Sequence, residues 1–86
     1  MSARVLVVDD IEANRRVLQA KLEAKYFDVI LAKDGFEALE VVARETPDII
    51  LLDIMMPGMD GFEVCRRLKA DPKVSHIPVV LSLIHI

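Results

Sequence analysis

The chain has 86 residues, which allows one small domain. Hydrophobic residues make up 53% and charged residues 29%, too apolar for a disordered segment, and the net charge of −3 lacks the positive field that drives sequence-independent nucleic-acid binding. A single cysteine, Cys65, excludes an internal disulfide and a cysteine-rich zinc site.

Met1-Ser2-Ala3-Arg4 leads directly into Val5-Leu6-Val7-Val8, a run too short for a signal peptide or a membrane span, so a soluble cytoplasmic protein is the expectation. Val5 to Val8 is a continuous apolar run rich in β-branched residues, as suits a strand buried on both faces, and it ends at Asp9-Asp10. A helix is predicted from about Ala13 to Lys25, with Val17, Leu18 and Leu22 inward and Arg15, Arg16, Gln19 and Glu23 polar. Tyr26 to Ala32 returns to strand chemistry. Asp34-Gly35-Phe36-Glu37 reads as a helix start, an N-cap acid with Glu three residues on. That helix is predicted to reach about Glu45, with Ala38, Leu39, Val42 and Ala43 as its apolar side, and Thr46-Pro47 ends it.

Ile49-Ile50-Leu51-Leu52 is a further buried strand ending at Asp53, and Pro57-Gly58 marks a turn. Asp60-Gly61-Phe62-Glu63 repeats the earlier tetrapeptide and starts a third helix to about Ala70, with Phe62, Cys65 and Leu68 inward. Asp71-Pro72 stops it, and Ile77-Pro78-Val79-Val80-Leu81 opens a fourth strand. Strands alternating with helices in the order βαβαβαβ imply right-handed crossovers and a parallel sheet with helices on both faces. A dinucleotide-binding sheet is disfavoured, because acids stand after the first strand where a glycine fingerprint would be needed.

Ligands gather at the carboxyl ends of the strands in such sheets. If the first and third strands are neighbours, Asp9, Asp10 and Asp53 converge there. Three carboxylates crowd unfavourably unless a cation sits among them, and oxygen ligands suit Mg2+. One carboxylate could then attack a phosphoryl group. The plainer account is that acids at strand ends cap the next helices. Asp53 does not need that role, since Asp60 is a separate cap for the following helix.

Val7-Val8-Asp9-Asp10, followed by Asp48-Ile49-Ile50-Leu51-Leu52-Asp53-Ile54-Met55-Met56-Pro57-Gly58-Met59-Asp60-Gly61, resembles the receiver domain of bacterial two-component response regulators. The resemblance runs from about Ala3 to Leu81, and residues 5–14 look most like the first receiver of PleD-type diguanylate cyclase regulators. It implies a flavodoxin-like (CheY-like) three-layer sandwich with sheet order 2-1-3-4. It also implies that Asp53 is the phosphoacceptor, taking phosphate from a histidine kinase, a phosphotransfer protein or a small phosphodonor. Asp10 would be the main Mg2+ carboxylate with Asp9 supporting it, Asp53 and the backbone carbonyl of Met55 would complete the protein ligands, and Pro57 and Gly58 would shape the loop.

The resemblance fails toward the C-terminus. The family's switch hydroxyl falls where Leu83 stands; Ser82 lies one residue earlier, and a one-residue shift turns a strand side chain to the other face. The fourth helix, fifth strand with its lysine, and fifth helix have no counterpart. The expectation is a partial receiver over residues 1–81 with an aberrant tail over 82–86, its frame cut or shifted. With a helix missing, part of one sheet face and the fourth-strand edge would be open, predicting marginal stability and self-association.

Lys33, Lys69 and Lys73 are expected to be solvated, none of them ending a strand, Arg15 and Arg16 to be solvated helix residues or kinase contacts, and Cys65 to be a core residue. His76 and His85 lack metal-ligand spacing. Two rivals stand beside the signalling module: a fragment with the acids but no switch, and an Asp-nucleophile phosphohydrolase. Met55 occupies the place where that last family needs a second Asp as general acid.

Overall fold

The computed structural model describes residues 2–82; the tail Leu83-Ile84-His85-Ile86, with the switch position at Leu83, lies outside them. The elements run β1 (Arg4–Val8), α1 (Glu12–Glu23), β2 (Asp28–Ala32), α2 (Gly35–Glu45), β3 (Ile49–Asp53), α3 (Gly61–Ala70) and β4 (Val79–Ser82). The four strands form one sheet in the order β2-β1-β3-β4, with every pair parallel. This is the expected flavodoxin-like order, and it makes β1 and β3 the two inner strands.

Strand pairing divides the apolar residues between two faces. Leu6, Val8, Ile50 and Leu52 point to one face, where Ala38, Val41 and Val42 of α2 and Val64 and Leu68 of α3 bury them. Met56, Met59, Val74 and Ile77 complete this core. The opposite face carries Val5, Val7, Ile49, Leu51 and Val80 by the same alternation. Helix α1 packs on it over β1 and β2. Over β3 and β4 the cover is thinner: Ile49 and Leu51 are half-buried and Val80 is 45% exposed.

The two identical tetrapeptides both start helices as predicted. Asp34 Oδ1 accepts from the Glu37 N–H at 2.8 Å, and Asp60 Oδ1 accepts from the Glu63 N–H at 2.9 Å. Their glutamates then diverge. Glu37 accepts from the Lys33 N–H at 3.0 Å, whereas Glu63 pairs with Arg66 and Arg67.

Several expectations need correction. Helix α1 ends at Glu23, because Tyr26 turns left-handed (φ 67°) and the Phe27 N–H folds back onto the Leu22 carbonyl at 3.2 Å. Phe62 is 60% exposed rather than inward; the buried stripe of α3 is Gly61, Val64 and Leu68, and Phe62 stands one position off it. In α2 the buried stripe is Gly35, Ala38, Val41 and Val42, leaving Ala43 exposed. Cys65 is half-buried against the core.

Candidate functional site

Strands β1 and β3 are adjacent with Val8 opposite Leu52, so the next residues, Asp9 and Asp53, leave the sheet side by side. Asp10 follows from the same strand end. One carboxylate oxygen from each of Asp9, Asp10 and Asp53 lies within 4.8 Å of the others. Asp9 is fully buried, Asp53 is 5% exposed and Asp10 faces solvent. At an effective dielectric near 20, each pair of charges at that spacing repels by on the order of 3 kcal/mol. Hard oxygen donors gathered around one point, two buried and one open to water, fit a small divalent cation that keeps some of its waters.

Local hydrogen bonds hold this geometry. The buried Asp9 carboxylate accepts from the Ile11 N–H at 2.9 Å and from the Asn14 side-chain amide at 3.3 Å. Its backbone carbonyl accepts from Arg15 Nη1 at 2.7 Å. Asp9 thus supplies the first turn of α1, whose own N-cap, Ile11, makes no side-chain cap bond. Asp53 Oδ1 accepts from the Met55 N–H at 3.2 Å, which bends the chain after β3. The loop closes twice more. The Met59 N–H reaches the Pro57 carbonyl at 3.0 Å across Gly58, whose φ of 82° favours glycine, and the Gly61 N–H reaches the Ile54 carbonyl at 2.9 Å. A side chain at Gly61 would put its Cβ 2.4 Å from the Asp53 carbonyl oxygen.

The structure therefore brings together the three predicted acids and places Met55, Pro57 and Gly58 in the loop beside them. Ser82 stands opposite Asp53 in the ladder, and its carbonyl accepts from the Ile54 N–H at 3.1 Å. Three residues escaped the sequence reading. Arg15, expected to be solvated, is half-buried against Asp9 because its position on α1 turns back toward β1. Asn14 is buried on the apolar side of α1, in line with Val17, Leu18 and Leu22 at helical spacing; a polar residue on that stripe was the available signal. Gly61 fits only because it has no side chain.

Lys33 follows β2 without ending it and is exposed, as expected. Lys69 is exposed yet anchored, its Nζ donating to the carbonyls of Ser75 at 3.1 Å and Ile77 at 3.0 Å. Arg16 is exposed and pairs with Glu12.

The sequence matches the response regulator receiver domain over residues 5–84. This chain belongs to that family. The receiver is 69% identical over 81 residues to response regulator PleD of Caulobacter vibrioides (strain NA1000 / CB15N), covering 94% of this chain and 18% of PleD. It is 51% identical over 70 residues to response regulator MprA of Mycobacterium ulcerans (strain Agy99), covering 81% of this chain and 30% of MprA. The chain thus spans a minor part of both relatives. The receiver's fold superposes with a TM-score of 0.89 on the N-terminal domain of a response regulator receiver protein from Methanoculleus marisnigri JR1, at 42% identity over 91% of this chain and 63% of that one. The TM-score is 0.90 for chemotaxis response regulator CheY4 of Vibrio cholerae, at 31% identity over 94% of this chain and 68% of that one. The chain is a receiver domain of two-component response regulators, a signalling module. Among its described residues no helix is long and apolar enough to cross a membrane.

Proposed function

We propose that Asp53 is the residue that takes the phosphoryl group, from a histidine kinase or a phosphotransfer protein, in the cytoplasm. The convergence of Asp9, Asp10 and Asp53 at the ends of the two inner strands carries this reading. A carboxylate oxygen of Asp53 attacks phosphorus in line with the donor's phosphohistidine N–P bond. The O–P bond forms as that bond breaks, and the electron pair returns to the imidazole, which takes a proton from water. Asp10, Asp9, Asp53 and the backbone carbonyl of Met55 would hold Mg2+, which would supply positive charge to offset the repulsion between these carboxylates and a phosphoryl dianion.

The protein's own contribution is positional. Burial and the Met55 N–H fix Asp53, and the loop closed at Gly58 and Gly61 keeps the carboxylate at the sheet edge. Met55 stands where a phosphohydrolase would carry its general acid, so the chain acts as an acceptor and not as a turnover enzyme. Ser82 is the ladder partner of Asp53 but lies one residue before the family's hydroxyl position, so a switch role for it rests on the adduct-lifetime test below. The thinly covered face around Ile49, Leu51 and Val80 supports a second feature, self-association of the chain.

The test is intact mass after incubation with Mg2+ and acetyl phosphate. A single phosphoryl adduct is expected, lost in Asp53→Asn and in EDTA. An adduct that survives Asp53→Asn refutes the assignment of the acceptor, and steady release of phosphate from an ester substrate refutes the non-enzyme reading. A shortened adduct lifetime in Ser82→Ala supports the switch role; an unchanged one removes it.

A further inference from the structure

Asp9 is the most deeply buried of the three acids, yet the structure spends more side-chain hydrogen bonds on it than capping requires. One carboxylate oxygen is held by the Ile11 N–H at 2.9 Å. The other is met by the amide of Asn14 at 3.3 Å, itself only 8% exposed. The peptide carbonyl of the same residue is gripped by Arg15 Nη1 at 2.7 Å. Asn14 and Arg15 are consecutive on the first turns of α1, so one rigid helix reaches both the side chain and the backbone of Asp9.

We infer that Asn14 and Arg15 are positioning residues for the metal carboxylates, a two-point strap from α1 that fixes the direction of Asp9 and the course of the chain through Asp10. This rests on the reading of the acid cluster as an Mg2+ site. Mg2+ demands near-octahedral oxygen geometry at short distances, so a carboxylate held in one orientation binds it better than one that must first be ordered. The groups that orient metal ligands commonly change affinity 10- to 100-fold when removed.

The sign separates positioning from charge. As a bare cation beside Asp9, Arg15 would oppose a second cation, and its removal would tighten Mg2+ binding. As a strap, its removal weakens binding. The strap also differs from a purely structural role. Arg15 is half-buried, and its loss would lower the melting temperature in EDTA only slightly, whereas a structural contact would move stability and leave the dissociation constant for Mg2+ unchanged.

The experiment is calorimetric titration of the full chain with Mg2+, paired with thermal melting in EDTA, for the parent, Arg15→Ala, Arg15→Lys and Asn14→Leu. Arg15→Ala is expected to raise the Mg2+ dissociation constant about 10-fold, and Asn14→Leu by a similar factor. Arg15→Lys, which keeps a donor that can reach the carbonyl, is expected to recover most of the loss. Unchanged or tighter binding in Arg15→Ala overturns the strap. So does a Lys variant no better than Ala. If Asn14→Leu does not fold, the Arg15 pair decides. A parent chain that shows no Mg2+ binding overturns the reading of the acid cluster itself, whereas parent binding with insensitive variants overturns only the strap.

Discussion

Gly35 and Gly61 occupy the same position in the same tetrapeptide at the start of two helices, so Gly→Ala at each tests what the local sequence cannot distinguish. At Gly61 the added Cβ would lie 2.4 Å from the Asp53 carbonyl oxygen, 2.8 Å from Ile54 Cα and 3.1 Å from the Asp53 carbonyl carbon. All three are backbone atoms at the end of an inner strand, and relief needs the strand end and the helix to part by about 1 Å, the kind of overpacking that costs about 1–3 kcal/mol. Alanine's helical preference returns at most about 1 kcal/mol. The expected net loss is about 2 kcal/mol, or a melting temperature lower by about 10 °C for a domain of this size. At Gly35 the closest atom is a methyl, Val64 Cγ2 at 2.7 Å, followed by Met59 side-chain carbons at 3.1 and 3.2 Å. Side chains yield more readily than backbone, so Gly35→Ala should cost less than half as much. Urea unfolding of the two variants, with Mg2+ titration alongside, makes the comparison; only Gly61→Ala should also weaken Mg2+ binding, because it displaces the peptide of Asp53. Gly61→Ala no less stable than Gly35→Ala would refute the reasoning.

Tyr26→Gly should raise stability by about 1 kcal/mol in thermal melts, because Tyr26 is 86% exposed and sits at a left-handed φ of 67° that glycine adopts without penalty. Asp60→Ala removes the bond to the Glu63 N–H and should cost about 1 kcal/mol in urea unfolding. The guanidiniums of Arg67 and then Arg66 hold Glu63 below its ordinary value of 4.5. Its stabilising contribution is therefore whole above that value and fades as pH falls through the lowered pKa, so Glu63→Gln should be less stable than the parent at neutral pH and converge with it in acid, which flattens the acid limb of the stability–pH curve. Excess Mg2+ at 100 times its dissociation constant should raise unfolding free energy by about 2.7 kcal/mol, an increment that EDTA and Asp53→Asn both remove. Val80→Lys should shift sedimentation toward monomer if the thin face of the sheet mediates self-association.

The strand order and the convergence of the acids were legible in the sequence because both follow from one-dimensional patterns: apolar β-branched runs separated by helix-length segments, and acids placed where two of those runs end. What escaped depended on facing. Phe62 was read as inward because it is large and apolar, but the Val64–Leu68 stripe and the close approach at Gly61 set the roll of α3 and leave it outside. Arg15 was read as solvated because its neighbours are charged; its guanidinium turns back to Asp9 only once α1 has packed over β1. Tyr26 carries no glycine to announce a left-handed turn. Asn14 was the one residue whose position on an apolar stripe could have given it away.

Both acid-bearing strands lie inside the sheet, with β2 and β4 as its edges among the described residues. Local opening starts where hydrogen bonds and packing are fewest, so edge strands exchange their amide hydrogens before inner ones. The carboxylates of Asp9 and Asp53 therefore hang from the segments expected to hold their protons longest. Fraying at either side of the sheet would leave the pocket assembled, and its loss would coincide with global unfolding.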